Sequence, residues 1–193
     1  KILGKKNKNM YPTSLVFGKD ERLYVFDDNE NNIKVFTPPY FLFEFGEEGE
    51  GPGQFKNPKG IFIDNKGTFY IADTGNHRIQ VLSPERKVIS IFGSFGSDNG
   101  EFKYPSDVFV GKDERIYVVD KGNHRIQVFN MKGEFLLAFG GLGGPLVNNF
   151  HPTSAEIDYD EEPEKFFSPS AIFMINDFVY LSDTGNHRVL RIP

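Results

Sequence analysis

Ile71-Ala72-Asp73-Thr74-Gly75-Asn76-His77-Arg78-Ile79-Gln80-Val81 decides the fold, because the chain repeats it. It returns as Val119-Asp120-Lys121-Gly122-Asn123-His124-Arg125-Ile126-Gln127-Val128 and as Ser182-Asp183-Thr184-Gly185-Asn186-His187-Arg188-Val189. A weathered copy, Phe26-Asp27-Asp28-Asn29-Glu30-Asn31-Asn32-Ile33-Lys34-Val35, keeps the turn but not its Gly, His and Arg. The four aspartates, Asp27, Asp73, Asp120 and Asp183, are 46, 47 and 63 residues apart. Recurrence at such a period marks a repeat architecture and is read before any local assignment.

Around each copy the same punctuation recurs. In the second unit Pro58 precedes the apolar run Gly60 to Ile63, and Asp64-Asn65-Lys66-Gly67 turns the chain into Phe69 to Ala72. Asx-Gly chemistry between β-rich runs is a hairpin signal. The Asp73 to Arg78 turn leads into Ile79 to Leu82, and Ser83 to Lys87 leads into Val88 to Gly93. Four short antiparallel strands per repeat of about 40 to 50 residues describe a β-propeller blade, with the first and most apolar strand innermost. A Gly-rich connection, such as Ser94 to Tyr104, then leads to the proline of the next unit. Phe55, Phe102 and Phe167, just before those prolines, read as wedges between blades.

The Pro-x-x-Ile-x-Val lead, the Asp-x-Gly-Asn-His-Arg-Ile-Gln-Val-Phe core and the Phe-Gly close resemble the NHL repeat, in four copies covering nearly the whole chain. That resemblance implies an all-β propeller of four-stranded antiparallel blades, as a closed four-bladed ring or as part of a six-bladed one. It also implies a range of roles: protein-binding platform, RNA-binding face, sensor domain outside bacterial cells, lyase or hydrolase. An extracytoplasmic home, periplasmic or secreted, follows from the same resemblance.

Composition narrows the classes. The 193 residues suit one domain, 1–193, with a substantial core. The absence of cysteine excludes disulfides, thiolate metal sites and a cysteine nucleophile. No apolar run is long enough for a membrane-spanning helix, and no signal peptide opens the chain as given. The net charge of -5 is concentrated between residues 141 and 168, where six acids face Lys165. The remainder is balanced, a poor match for a phosphate backbone, so no nucleic acid is expected as partner.

The repeated turn reads as scaffold, because a packing device repeats around a ring while a ligand site breaks its symmetry. Asp73, Asp120 and Asp183 are expected to accept hydrogen bonds from the backbone of their own turns, Gly75 to supply a positive φ, and Arg78, Arg125 and Arg188 to reach a carboxylate or carbonyl on a neighbouring blade. The rival is a zinc held at the axis by His77, His124 and His187, which would need the three to point inward from separate blades. No catalytic residue is assigned and no cofactor is expected. The apolar first strands (Leu15-Val16-Phe17, Ile61-Phe62-Ile63, Val108-Phe109-Val110, Ile172-Phe173-Met174) offer a channel enzyme no polar groups.

Residues 141–168 break the repeat. From Gly140 to Pro169 the crossover is 17 residues longer than its counterparts from Gly46 to Pro58 and Gly93 to Pro105. Propeller topology puts this insertion, the repeated turns and the basic loop Lys5 to Lys8 on one rim. His151, Asp158 and Asp160 would suit a hard cation such as calcium. The other readings of the segment are a solvated acidic loop and a partner-recognition loop carrying His151, Glu156, Asp158, Asp160, Glu161, Glu162 and Glu164; the chain as a whole is assigned as a non-enzymatic scaffold that binds protein. A propeller lyase or hydrolase with a metal in its channel, and an RNA-binding face, are the alternatives. The ends are expected to complete a blade, Lys1 to Gly4 pairing alongside Val189 to Ile192.

Overall fold

The computed structural model describes residues 10–141, 165–175 and 178–192. The first sheet is β1 (Pro12–Phe17), β2 (Leu23–Asp27), β3 (Asn32–Thr37) and β4 (Tyr40–Phe45), antiparallel in that order. A short parallel pair, β5 (Glu47–Glu48) and β6 (Gln54–Phe55), lies in the first crossover. The second sheet is β7 (Gly60–Ile63), β8 (Phe69–Asp73), β9 (Arg78–Leu82) and β10 (Val88–Phe92). The third is β11 (Pro105–Val110), β12 (Arg115–Asp120), β13 (Arg125–Asn130) and β14 (Phe135–Gly140). The fourth has β15 (Ala171–Ile175), β16 (Phe178–Asp183) and β17 (Arg188–Ile192).

These are four blades of a β-propeller, placed where the repeat put them. Their first strands form the inner wall, β1 against β7, β7 against β11, and β11 against β15. Period-two alternation gives each blade two apolar faces, and successive faces meet. Tyr24, Phe26, Ile33 and Val35 of the first blade pack on Ile61, Phe69, Ile71 and Leu82 of the second. Tyr70, Ala72, Ile79 and Val81 then pack on Val108, Ile116, Val118 and Phe129. Tyr117, Val119, Ile126 and Val128 pack on Ile172, Val179 and Leu181.

The wedges are Phe55, Phe102 and Phe166, all buried. Each lies against the glycine that ends the preceding fourth strand, where an added Cβ would fall 2.2–2.4 Å from the ring. The expectation for Phe167 is corrected by one residue: Phe166 is the wedge and Phe167 is exposed. Phe166 stands three residues before Pro169, as Phe55 and Phe102 stand before Pro58 and Pro105, whereas Phe167 stands only two before it, so the spacing itself identifies the wedge.

The inner strand of the first blade differs from the three that follow it. Ile61, Val108 and Ile172 are buried against the preceding blade, while their counterpart Leu15 is 63% exposed. Lys1 to Gly4, the expected partner of β17, lies outside the described residues. No helix among the described residues is long and apolar enough to cross a membrane.

Candidate functional site

The repeated turns and the blade crossovers meet on one rim, and the turn holds the crossover that leads into its own blade. After β8 the chain makes one 3₁₀ turn, Thr74–Asn76, and leaves it through His77 at φ 55. The equivalent exits are His124 at φ 58 and His187 at φ 55. The left-handed residue is therefore the histidine, not the glycine as expected. Gly75 serves close approach instead: its N–H donates to the Lys56 carbonyl at 2.8 Å, and a Cβ would fall 2.7 Å from that oxygen. Gly122 meets the Lys103 carbonyl in the same way.

Asp73 is fully buried, and the backbone N–H it accepts belongs to the crossover rather than to its own turn, which supplies side chains instead and so corrects the second expectation. Arg78 likewise bonds the aspartate and incoming crossover of its own blade and not a neighbouring blade. Its Oδ1 accepts the Lys56 N–H at 2.8 Å. Its Oδ2 accepts from Asn76 at 3.0 Å, Arg78 Nε at 2.7 Å and Gln80 Nε2 at 2.9 Å. Arg78 also donates to the carbonyls of Glu50, Gly51 and Gln54, and Gln80 bridges the Gly53 N–H and the Gln54 carbonyl. In the third blade Asp120 binds Lys103 N, Asn123, Arg125 and Gln127 alike. In the fourth, Asp183 binds Phe167 N, Asn186 and Arg188. A buried carboxylate with both oxygens hydrogen-bonded is satisfied scaffold chemistry.

The histidines latch blade to blade. His77 Nδ1 accepts the Tyr104 N–H at 3.1 Å, and His124 Nδ1 accepts the Ser168 N–H at 2.9 Å. At the first junction Asn31, also left-handed, performs the task through Oδ1 and the Asn57 N–H at 2.8 Å. An Nδ1 acceptor must be neutral, and burial lowers the His77 pKa, partly opposed by the charge of Asp120. His77 and His124 thus hold separate junctions. Among the described residues no three His, Asp or Glu side chains come together as a metal site.

Two features of the rim and wall break the symmetry. His77 lies between Phe95 and Tyr104, ring centres 4.9 and 4.7 Å away, and Phe95 and Tyr104 are 63% and 55% exposed. Lys103 Nζ stands 5.9 Å from the Phe95 ring centre, and at the next junction Phe167 stacks on His124 at 5.1 Å. The first junction has Asn31 and Asn57 here instead. Sequence reasoning passed over this aromatic patch, and its signal was the lone Phe95 and Tyr104 within a Gly-rich crossover. On the inner wall Asp107 stands where the other blades have Ser14, Gly60 and Ala171. It accepts the Val108 N–H and, across the seam, the Ile172 N–H, both at 2.9 Å. Burial pushes its pKa up to about 6 against the pull of those two N–H groups. Beside it the wall is a line of rings, Phe62 on Phe109 at 4.7 Å and Phe109 on Phe173 at 5.7 Å.

The insertion residues His151, Glu156, Asp158, Asp160, Glu161, Glu162 and Glu164, and the loop Lys5 to Lys8, lie outside the described residues. The ends of the long crossover, Gly141 and Lys165, emerge on the same rim as the aromatic patch.

The NHL repeat family model matches residues 55–82 and 102–129. Human NHL repeat-containing protein 3 is 35% identical over 94 residues, which cover 42% of this chain and 26% of that protein. The NHL repeat-containing protein 2 of Gallus gallus is 33% identical over 96 residues, covering 44% of this chain and 13% of that one. A streptogramin B lyase structure superposes with a TM-score of 0.67 at 15% identity, over 95% of this chain and 51% of that one. The nidogen/laminin complex gives 0.63 at 17% identity, over 93% and 58%. The chain thus spans about half the length of these solved chains and about a quarter or less of the curated relatives, and the structural likenesses speak for the fold alone. Its Asp-Asn-His-Arg-Gln networks, the two matched segments and these relatives converge: the chain carries NHL repeats at residues 55–82 and 102–129, within a β-propeller of four-stranded blades.

Proposed function

We propose that the chain is a non-enzymatic module that binds a protein partner on its crossover rim. The observation that carries this is the exposed aromatic patch of Phe95, His77 and Tyr104, mounted on crossovers that buried Asp73 and Asp120 hold in place. Exposed aromatics on a rigid mount are the common anchors of protein interfaces. The acidic insertion, residues 141–168, leaves from the same rim and occurs once, so it supplies selectivity for a basic partner surface. Its charges act mainly by steering association, because exposed ion pairs are each worth about 0–1 kcal/mol and are screened by salt. The resemblance to exported propellers supports an extracytoplasmic location, which protease treatment of intact producing cells would check.

Two variants test the reading against a partner recovered by cross-linking. Replacing Phe95 and Tyr104 with serine should abolish capture while the melting temperature stays within a few degrees. Replacing residues 148–164 with a short Gly-Ser link should weaken capture at low salt and leave stability nearly unchanged. Undiminished capture by the first variant would exclude the patch, and unfolding of the second would make the insertion a structural clasp.

A further inference from the structure

The two crossovers of equal length differ in what they present on the rim. Counted from Gly46 and Gly93, Glu48 gives way to Phe95, Glu50 to Ser97 and Asn57 to Tyr104, while Lys56 and Lys103 stand at the same place. In the first crossover Lys56 Nζ donates to Glu50 Oε1 at 3.2 Å, so the cation has its counter-ion beside it. In the second, Lys103 Nζ donates to the Ser97 hydroxyl at 2.6 Å, and that hydroxyl donates to Asn123 Oδ1 at 3.2 Å. Glu101 of this crossover accepts the Asp98 N–H, and Lys103 has no ion pair among the described residues. Its ammonium stands 5.9 Å from the centre of the Phe95 ring, a weak attraction that leaves the charge in place. The adjoining turn adds a second cation. Lys121 is exposed where the sibling turns carry Thr74 and Thr184, and the N–H of its neighbour Gly122 donates to the Lys103 carbonyl at 2.7 Å. The exposed rings of Phe95 and Tyr104 are thus bordered by lysines where the first crossover has carboxylates.

We propose that this patch takes a segment of the protein partner in which an aromatic side chain is flanked by a carboxylate. The aromatic anchor seats against Phe95, Tyr104 and His77, and the carboxylate gives Lys103 the counter-ion that Glu50 gives Lys56. This rests on the rim reading above and adds the partner's chemistry at the junction of the second and third blades. Charge complementarity selects the occupant: a partner cation here would meet Lys103 and Lys121 with no acid to pair with, and like charges across an interface are rejected. Beside an anchor that excludes water, the ion pair is screened less than the exposed pair of Lys56 and Glu50, so it discriminates between partners. Lys103 is therefore the specificity-determining residue of this junction. The basic surface proposed for the acidic insertion is a separate region of the partner, because that crossover leaves the rim one junction further on.

The probes are the blocked peptides Gly-Glu-Phe-Glu-Gly and Gly-Lys-Phe-Lys-Gly, titrated into the full chain at low salt while the amide resonances of Phe95, Lys103 and Tyr104 are followed. The acidic peptide should shift them saturably, and the basic one should bind there about tenfold more weakly. Ser97→Glu, which copies Glu50 and so keeps the fold, should remove the preference by giving Lys103 an internal counter-ion, and Lys103→Glu should reverse it. Equal affinity for the two peptides, no saturable shift up to millimolar acidic peptide, or a preference that survives Ser97→Glu would each overturn the proposal. If any of these occurs while the double serine variant of Phe95 and Tyr104 still loses its partner, the rim reading stands and only the carboxylate falls. If that variant keeps its partner, both fall. Binding of the acidic peptide only after residues 148–164 are replaced by the Gly-Ser link would assign the patch to the chain's own acidic crossover and equally sink a partner in trans.

Discussion

The first and second blades solve one problem with different residues. Both must anchor an incoming crossover to a buried aspartate and latch the next blade through a left-handed residue. In the second blade Asp73 gathers Asn76, Arg78 and Gln80, and His77 is the latch. In the first, the residues at those places are Glu30, Asn32 and Lys34 around Asp27, and Asn31 is the latch. The cation has moved two residues along the strand, from the half-buried Arg78 to the fully buried Lys34. Lys34 Nζ lies 3.4 Å from Asp27 and 2.9 Å from Glu44, and it also donates to Glu30. Burial alone would lower its pKa, but the hydrogen bonds and charges of Glu30 and Glu44 outweigh that and raise it. What persists is the buried carboxylate and the αL acceptor. The identity of the cation, and the His that names the motif, are exchangeable.

The largest expected effect tests the part both blades share. Asp120→Ala strands the Lys103 N–H, Asn123, Arg125 and Gln127, and should cost about 3–5 kcal/mol in urea unfolding, since removing one partner of a buried ion pair leaves the other uncompensated. A loss under about 1 kcal/mol would mean that the turn is not what holds the crossover.

Next comes the part that differs. Lys34→Ala leaves Asp27 buried without its cation and should cost about 3 kcal/mol. Lys34→Gln, which imports the residue found at Gln80 and Gln127, should recover more than half of that loss. Equal damage from both would show that the two networks are not alternative solutions of one problem.

Asp107 extends the comparison to the inner wall. Its folded pKa of about 6 lies above the ordinary carboxylate value of 3.8, so the folded state holds its proton more tightly than the unfolded chain. Its contribution to stability is therefore greatest below about pH 4 and is lost as the pH rises towards 6, by about 2 kcal/mol. Asp107→Ser, borrowing the residue of the first blade, should gain on the parent by about that amount between pH 4 and pH 7. Parallel curves across this range would show that the seam carboxylate is not strained.

The smallest effect concerns the latch. His77 has a lowered folded pKa, so its stabilising contribution is complete above about pH 6.5 and fades as the pH falls below that value. His77→Asn, copying Asn31, should keep the bond to the Tyr104 N–H and remove this fading, so that its urea-unfolding stability is flatter than the parent's between pH 7 and pH 5. A variant that still softens on acidification would place the sensitivity elsewhere.

The four aspartates and the turn chemistry between apolar runs were enough to identify propeller blades, their strands and the face that carries the turns. All of that is local: hairpins are written in period-two alternation and Asx-Gly turns within each repeat, and the period itself reveals the stacking. The sequence alone also located the one acidic crossover that breaks the repeat. Only the tertiary structure decided which atoms meet. Asp73 binds a backbone N–H 17 residues upstream, His77 reaches the next blade 27 residues downstream, and Gly75 is required by a crossover carbonyl rather than by its own φ. The pairing of Phe95 with Tyr104 around His77 belongs to the same class. Such contacts follow from the angle at which one twisted sheet packs on the next, a property of the stacked blades that no single repeat encodes.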